Sequence, residues 1–189
     1  GRVNTVTRES LENAGRAGCR MISFGVETGS DEGLRLLKKN TTTEQIRKVF
    51  RWCRELGILT IADFMIGLPF ERSADDVRRN VDFLLELDPD YAQFSILSLF
   101  PHTELFADAA RRGLIDPNRW NEFARHPATG FYVDHWEEFI PLNELLRLQR
   151  ESYRRFYLRP RYIWRSVIST CSWHEFRSKA AGALKLFGV

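Results

Sequence analysis

An α/β fold with parallel strands is the class this sequence predicts, and three observations predict it. Within residues 1–100, strand-like apolar runs begin near residues 20, 58 and 91, and helical periodicity fills the intervals. The run from Ile58 to Ile66 is almost wholly apolar, as expected of a parallel strand covered by helices. Two runs end at glycine-bearing junctions, Phe24-Gly25-Val26-Glu27-Thr28-Gly29-Ser30 and Phe64-Met65-Ile66-Gly67-Leu68-Pro69-Phe70-Glu71, each followed by a helical pattern. In open α/β sheets, ligands sit beyond the carboxyl ends of the strands.

The elements follow in order. Arg2 to Val6 reads as the end of a strand. Thr7 can cap a helix running to about Ala17, stopped by Gly18, and Arg20 to Val26 is a short strand. Asp31 to Lys39 reads as a helix ending at Asn40. Thr41 and Thr42 then precede Glu44 and Gln45 at capping-box spacing. Ile46, Val49, Phe50, Cys53 and Leu56 form the apolar stripe of that second helix, and Gly57 ends it. Ser73 caps a third helix whose buried face is Val77, Val81 and Leu84, with Asp75 and Asp76 in its first turn. Asp88-Pro89-Asp90 breaks it, and Tyr91 to Leu97 is the third strand. Beyond Phe100-Pro101 the rhythm changes. Thr103 to Arg112 reads as a helix, 116–143 as irregular and aromatic-rich, and Leu142 to about Leu158 as a long helix. Pro160 ends or bends it before further helix toward the carboxyl end. The organisation is therefore 1–100 as a βα-repeating part and 101–189 as a mainly helical, aromatic- and arginine-rich extension.

Composition narrows the function classes. With 189 residues and 43% hydrophobic content the chain can bury a substantial core. It has no apolar run of the ~20 residues that a membrane span requires and no signal-like start, so a cytoplasmic location is expected. Cys19, Cys53 and Cys171 are too dispersed for a CxxC-type metal or redox site and read as reduced structural thiols. The net charge of +3 is unevenly placed, with ten basic against three acidic side chains in residues 144–189.

At the second junction, Gly67 would let backbone approach a ligand, while Met65 and Ile66 suit apolar contact with a flat ring. Glu71 reads as capping or orienting the following helix rather than touching a ligand. At the first, Gly25 and Gly29 flank Glu27 and Thr28, a carboxylate beside a hydroxyl that could hold ribose hydroxyls or an ammonium group. Either junction alone is equally satisfied by turn geometry.

Taken in order, the two junctions resemble the radical SAM superfamily. Gly25-Val26-Glu27-Thr28-Gly29-Ser30 is similar to the element ending that family's fourth barrel strand. Asp63 to Glu71 is similar to the Gly-Phe-Ile-Ile-Gly-Leu-Pro-Gly-Glu element of the fifth, with Asp63 and Phe70 where glycines are usual. Phe100-Pro101-His102-Thr103-Glu104-Leu105-Phe106 looks like the Pro-Gly-Thr-Glu-Leu-Tyr segment after the sixth strand, with His102 replacing glycine. Phe156-Tyr157-Leu158-Arg159-Pro160 is similar to a tail element of the cobalamin-binding branch. The resemblance spans roughly residues 1–165. It implies a partial (β/α) barrel, with the last three βα units present, and reductive cleavage of S-adenosylmethionine by a [4Fe–4S] cluster; the likeness to the cobalamin-binding branch adds cobalamin as an expected cofactor. The outcome would be methylation, cyclisation or rearrangement of a small-molecule or biosynthetic-intermediate substrate. It further implies that Gly25, Glu27 and Thr28 hold the ribose or ammonium end, and that Met65, Ile66, Gly67 and Leu68 line the adenine. His102 would lie on the substrate side.

The family's CxxxCxxC cluster loop has no counterpart here. By alignment of elements it would precede Gly1, so the missing amino-terminal half of the barrel is the expected partner, and the strand at Arg20 to Val26 is expected to have an unpaired edge. The chain alone is expected to be inactive. The other reading is a cluster-free barrel remnant acting as a binding module, for example toward RNA, because arginines and aromatics alternate from Arg147 to Arg165. An arginine-rich solvated face with aromatics packed on the barrel explains the same pattern and is favoured over nucleic-acid binding. His102, His126, His135 and His174 lack metal-site spacing, and Asp134-His135 beside Glu137 and Glu138 is a poor candidate.

Overall fold

The computed structural model describes residues 1–168; Cys171, His174 and the helix expected nearest the carboxyl end lie outside them. Three strands, β1 (Met21–Glu27), β2 (Leu59–Ile66) and β3 (Tyr91–Ile96), form one parallel sheet in the order β1-β2-β3. The helices are α1 (Arg8–Arg16), α2 (Asp31–Leu36), α3 (Thr43–Glu55), α4 (Ala74–Leu87), α5 (Glu104–Arg111), α6 (Arg119–Arg125), α7 (Leu142–Tyr157) and α8 (Pro160–Ile168).

Local chemistry sets most of the helix starts. The hydroxyls of Thr7, Ser30, Thr42, Ser73 and Thr103 each accept a backbone N–H from the first turn they precede. Thr7 with Ser10, and Thr42 with Gln45, complete reciprocal capping boxes. Asp88 ends α4 in the left-handed conformation, φ 49°.

Arg2 to Val6 is not the end of a strand. Val3–Thr5 is a 3-10 turn, while Gly1 lies against β1, its amino group bonded to the Ser23 carbonyl and its own carbonyl accepting the Gly25 N–H. The outer edge of β1 is therefore partly covered. Nor is β2 buried on both sides. Thr60, Ala62, Phe64 and Ile66 are buried under the helices, whereas Ile61, Asp63 and Met65 are only half-buried on the opposite face. Strand alternation produces this two-sidedness. The main core joins Phe24, Val26, Phe64, Ile66 and Phe94 to Ile46, Val49, Phe50 and Cys53 of α3, to Val77, Val81 and Leu84 of α4, and to Leu145, Leu148 and Phe156 of α7. A second cluster, Leu68, Leu97, Leu99, Phe106, Ala109 and Trp136, is packed by Met65, Phe70 and Leu37. The stretch expected to be irregular contains α6, a short helix with no buried residue and no side-chain cap.

Helix α7 lies along the outer edge of β3 and stands in for a further strand. The Tyr157 hydroxyl donates to the Ala92 carbonyl (2.9 Å) and accepts the Ala92 N–H (3.1 Å). Tyr153 does the same at Phe94 (3.4 and 3.2 Å), and Gln149 Nε2 also donates to the Phe94 carbonyl (2.8 Å). The spacings match: four helical residues rise about 6 Å and two strand residues about 6.6 Å. Two tyrosines one turn apart thus reach alternate residues of an edge strand that would otherwise expose its backbone.

Candidate functional site

The two junctions lie side by side at the carboxyl ends of β1 and β2. Register runs regularly from Met21 opposite Leu59 to Gly25 opposite Asp63, then slips, so that Glu27 stands opposite Phe64. At this bulge Glu27 takes φ 67°. Its carboxylate folds back over Gly25, where a Cβ would meet Glu27 Oε1 at 2.7 Å. Gly25 therefore makes room for Glu27. Lys39, just beyond α2, donates to Glu27 Oε1 at 2.5 Å, with the two side chains 28% and 15% exposed. Beneath them, Ser23 Oγ donates to Asp63 Oδ2 at 2.6 Å. One face at the strand ends thus carries carboxylates, a hydroxyl and a lysine.

Behind this surface a buried polar chain joins the two junctions. Thr28, fully buried, accepts the Ser30 N–H (3.3 Å) and donates to Asn80 Oδ1 (3.1 Å). Asn80 Nδ2 donates to Glu71 Oε1 (2.7 Å), and Glu71 Oε2 accepts the N–H groups of Gly67 (2.7 Å) and Leu68 (2.9 Å). Glu71 is only 2% exposed; burial raises its pKa, against the lowering effect of the Leu68, Asn80 and Gly67 hydrogen bonds. Glu71 thus organises the turn that precedes it rather than capping the helix that follows, a role Ser73 takes.

The expected site residues separate into two groups. Gly25, Glu27 and Met65 lie at the half-exposed strand ends. Thr28, Ile66 and Leu68 are each at most 1% exposed and point into the interior, and the Gly67 N–H is already taken by Glu71. Gly67 has φ 75°, and a Cβ there would meet Leu145 Cδ1 of α7 at 3.0 Å. The close neighbour that excludes a side chain at Gly67 is thus a helix 78 residues away. His102 is exposed, with φ 66°, in the left-handed region where glycine is favoured. It lines a surface cleft of about 530 Å³ with Thr103, Glu104, Phe106 and Trp120. Lys38 donates to Glu104 at 2.6 Å, tying the residues after α2 to the start of α5.

Sequence reasoning missed Asn80, Lys39 and the face role of Asp63. Asn80 carried a signal: it is a polar residue in the 77, 80, 81, 84 stripe of α4, where apolar residues are expected. Lys39 carried none, because a bulge brings it to Glu27.

The described residues do not fit an iron–sulfur cluster. Cys19 Sγ contacts the Met21 carbonyl, Cys53 is fully buried in the α3 core, and no group of three metal-ligating side chains converges among them. Burial pushes the Cys53 thiol up to about 11. His135 is held by the Leu97 carbonyl at 2.9 Å. The arginines of the tail face carboxylates: Arg147 pairs with Glu144 and Glu151, Arg155 with Asp82, and Arg159, Arg161 and Arg165 with Asp88. Tyr153, Phe156, Tyr157 and Tyr162 pack with the main core, while Trp164 is exposed. No described helix is long and apolar enough to cross a membrane.

Comparison with known proteins gives consistent likenesses. Residues 2–84 match the radical SAM superfamily profile. The chain is 27% identical over 188 residues to an uncharacterized methyltransferase of Pyrococcus horikoshii, covering 98% of this chain and 39% of that protein. It is 25% identical over 173 residues to the anaerobic magnesium-protoporphyrin IX monomethyl ester cyclase of Rubrivivax gelatinosus, covering 91% and 29%. The structure of TsrM from Kitasatospora setae, a radical S-adenosylmethionine methyltransferase with cobalamin and a [4Fe–4S] cluster bound, superposes with a TM-score of 0.53 and 32% identity, covering 58% of this chain and 22% of that one. The chain thus spans well under half the length of these proteins.

Proposed function

We propose, on the premise that this chain belongs to the radical SAM superfamily, that it forms the nucleoside-binding part of an S-adenosylmethionine site in a radical SAM enzyme. The family includes methyltransferases and cyclases among the relatives of this chain. The observation that carries the reading is the bulged end of β1, where Glu27 turns its carboxylate back over Gly25 onto the open face of the sheet. There it can accept hydrogen bonds from ribose hydroxyls or an ammonium group, while Lys39 limits its charge. Met65, half-buried one strand away, offers a polarisable side chain to an adenine ring.

The remaining motif residues act by holding this surface. Thr28 and the turn at Gly67 and Leu68 fix the two junctions from behind, and Ile66 anchors β2 in the core. S-adenosylmethionine, when bound, supplies a sulfonium-activated carbon–sulfur bond for radical chemistry on a small-molecule substrate. The described residues hold no cluster, and residues 1–168 by themselves are expected to bind without cleaving. Cobalamin use follows from likeness to TsrM, and no residue here is assigned to it. The division into a barrel part, 1–100, and an extension, 101–189, and a cytoplasmic location complete the proposal. His102 is assigned to the substrate side through the surface cleft it lines with the start of α5 and with Trp120 of α6.

The test is equilibrium binding of S-adenosylhomocysteine to the anaerobically purified protein. Glu27→Ala removes a charge-assisted acceptor worth about 1.5–3 kcal/mol, so affinity should fall roughly 10- to 150-fold. Unchanged affinity would refute the role of Glu27.

A further inference from the structure

We infer that Asn80 is a positioning residue for this site: one side chain of α4 sets the separation of the two junction loops through Thr28 and Glu71. The inference rests on the nucleoside-site reading above. The β1–β2 ladder ends at Glu27 and Phe64. Beyond that pair, Thr28–Ser30 and Gly67–Leu68 leave the sheet, and the side-chain chain through Asn80 spans the gap.

Its polarity is fixed at each step. The Ser30 N–H occupies an acceptor site of the Thr28 hydroxyl, and the hydroxyl proton goes to Asn80 Oδ1. That contact orients the amide so that Nδ2 faces Glu71 Oε1, leaving Oε2 to take both N–H groups of the Gly67–Leu68 turn. Rotating the amide by half a turn would set acceptor against acceptor at Glu71 and donor against donor at Thr28. The arrangement has one low-energy orientation, and it links both loops to the same residue.

A purely space-filling role would be met more simply. Asn80 is 8% exposed between Val77, Val81 and Leu84, each at most 1% exposed, where leucine would pack without the desolvation cost of an amide. A buried polar chain is directional where apolar packing is not, and that directionality is what a two-walled ligand site needs.

The experiment measures S-adenosylhomocysteine affinity and urea stability side by side for the anaerobically purified protein and four variants. Asn80→Leu and Thr28→Val each break the chain while keeping the branched heavy-atom skeleton of the side chain, and Val81→Ala is a control that destabilises α4 without touching the chain. Positioning predicts about tenfold weaker binding in Asn80→Leu and in Thr28→Val, from loss of a buried hydrogen bond. The double variant Thr28→Val/Asn80→Leu should be no weaker than either single one, because both cut the same link. Val81→Ala should lose stability and keep wild-type affinity. Wild-type affinity in Asn80→Leu or Thr28→Val, or a loss in Val81→Ala that tracks its stability, overturns the positioning role alone. Absence of binding by the wild-type protein overturns the nucleoside-site reading and this inference together. Should Asn80→Leu not fold, Thr28→Val against Val81→Ala decides.

Discussion

Replacing Gly67 by alanine should destabilise the fold by about 2–5 kcal/mol, from two separable causes. The backbone there has φ 75°, which costs a residue with a Cβ about 1–2 kcal/mol. The new methyl would also lie 3.0 and 3.1 Å from the two Cδ atoms of Leu145, which is fully buried in the main core and has no open space to swing into. Overpacking of that kind costs about 1–3 kcal/mol. Leu145→Ala alone should cost about 2–5 kcal/mol through the cavity it leaves. In the double variant Gly67→Ala/Leu145→Ala the clash is gone and the added methyl fills part of that cavity, so only the conformational cost of Gly67 survives beside the cavity term. Urea denaturation of the four proteins should therefore give a favourable coupling of at least about 1 kcal/mol. Strict additivity would refute the claim that α7 excludes a side chain at Gly67. A Gly67→Ala protein as stable as wild type would refute both terms.

Two further outcomes follow from the sheet edge and the buried carboxylate. Tyr157→Phe strips the Ala92 N–H and carbonyl of the hydroxyl that bonds both across the edge and should cost about 1–3 kcal/mol in urea unfolding. Tyr153→Phe should cost less, because Gln149 still donates to the Phe94 carbonyl; the reverse ranking would contradict the strand-substitute reading of α7. Glu71 has a folded pKa raised above its usual 4.5, chiefly by burial. An acid raised on folding stabilises the fold below its unfolded value, and that contribution is lost as pH rises through the folded one. Its contribution to stability should therefore decline from pH 4.5 upward, and Glu71→Gln should remove that part of the slope. A variant whose stability–pH profile runs parallel to wild type would contradict the assignment.

The parts legible in the sequence are those set by neighbours along the chain. Thr42 three residues before Gln45, Ser73 before Asp75 and Asp76, and the Ile46–Cys53 stripe all fold as their spacing predicts, because caps and amphipathic faces depend on contacts three or four residues apart. His102 was visible as a departure from glycine, and the backbone there is indeed left-handed. The near-apolar sequence of β2 misled, because apolar composition does not reveal which face a helix covers. Helix α6 was missed because it buries no residue, so it has no amphipathic stripe to read.

The sequence by itself determined the order of the three strands and of the helices between them, the two glycine junctions, and the family they resemble. Tertiary structure alone decided what each junction residue faces. Thr28 and Leu68 turn inward, Glu27 turns out across Gly25 to meet Lys39, and Gly67 is reserved for Leu145. The physical reason is range. Periodicity encodes a residue's direction relative to its own helix or strand, but a one-residue bulge in β1 and a helix arriving from residue 142 onward depend on contacts that no local spacing specifies.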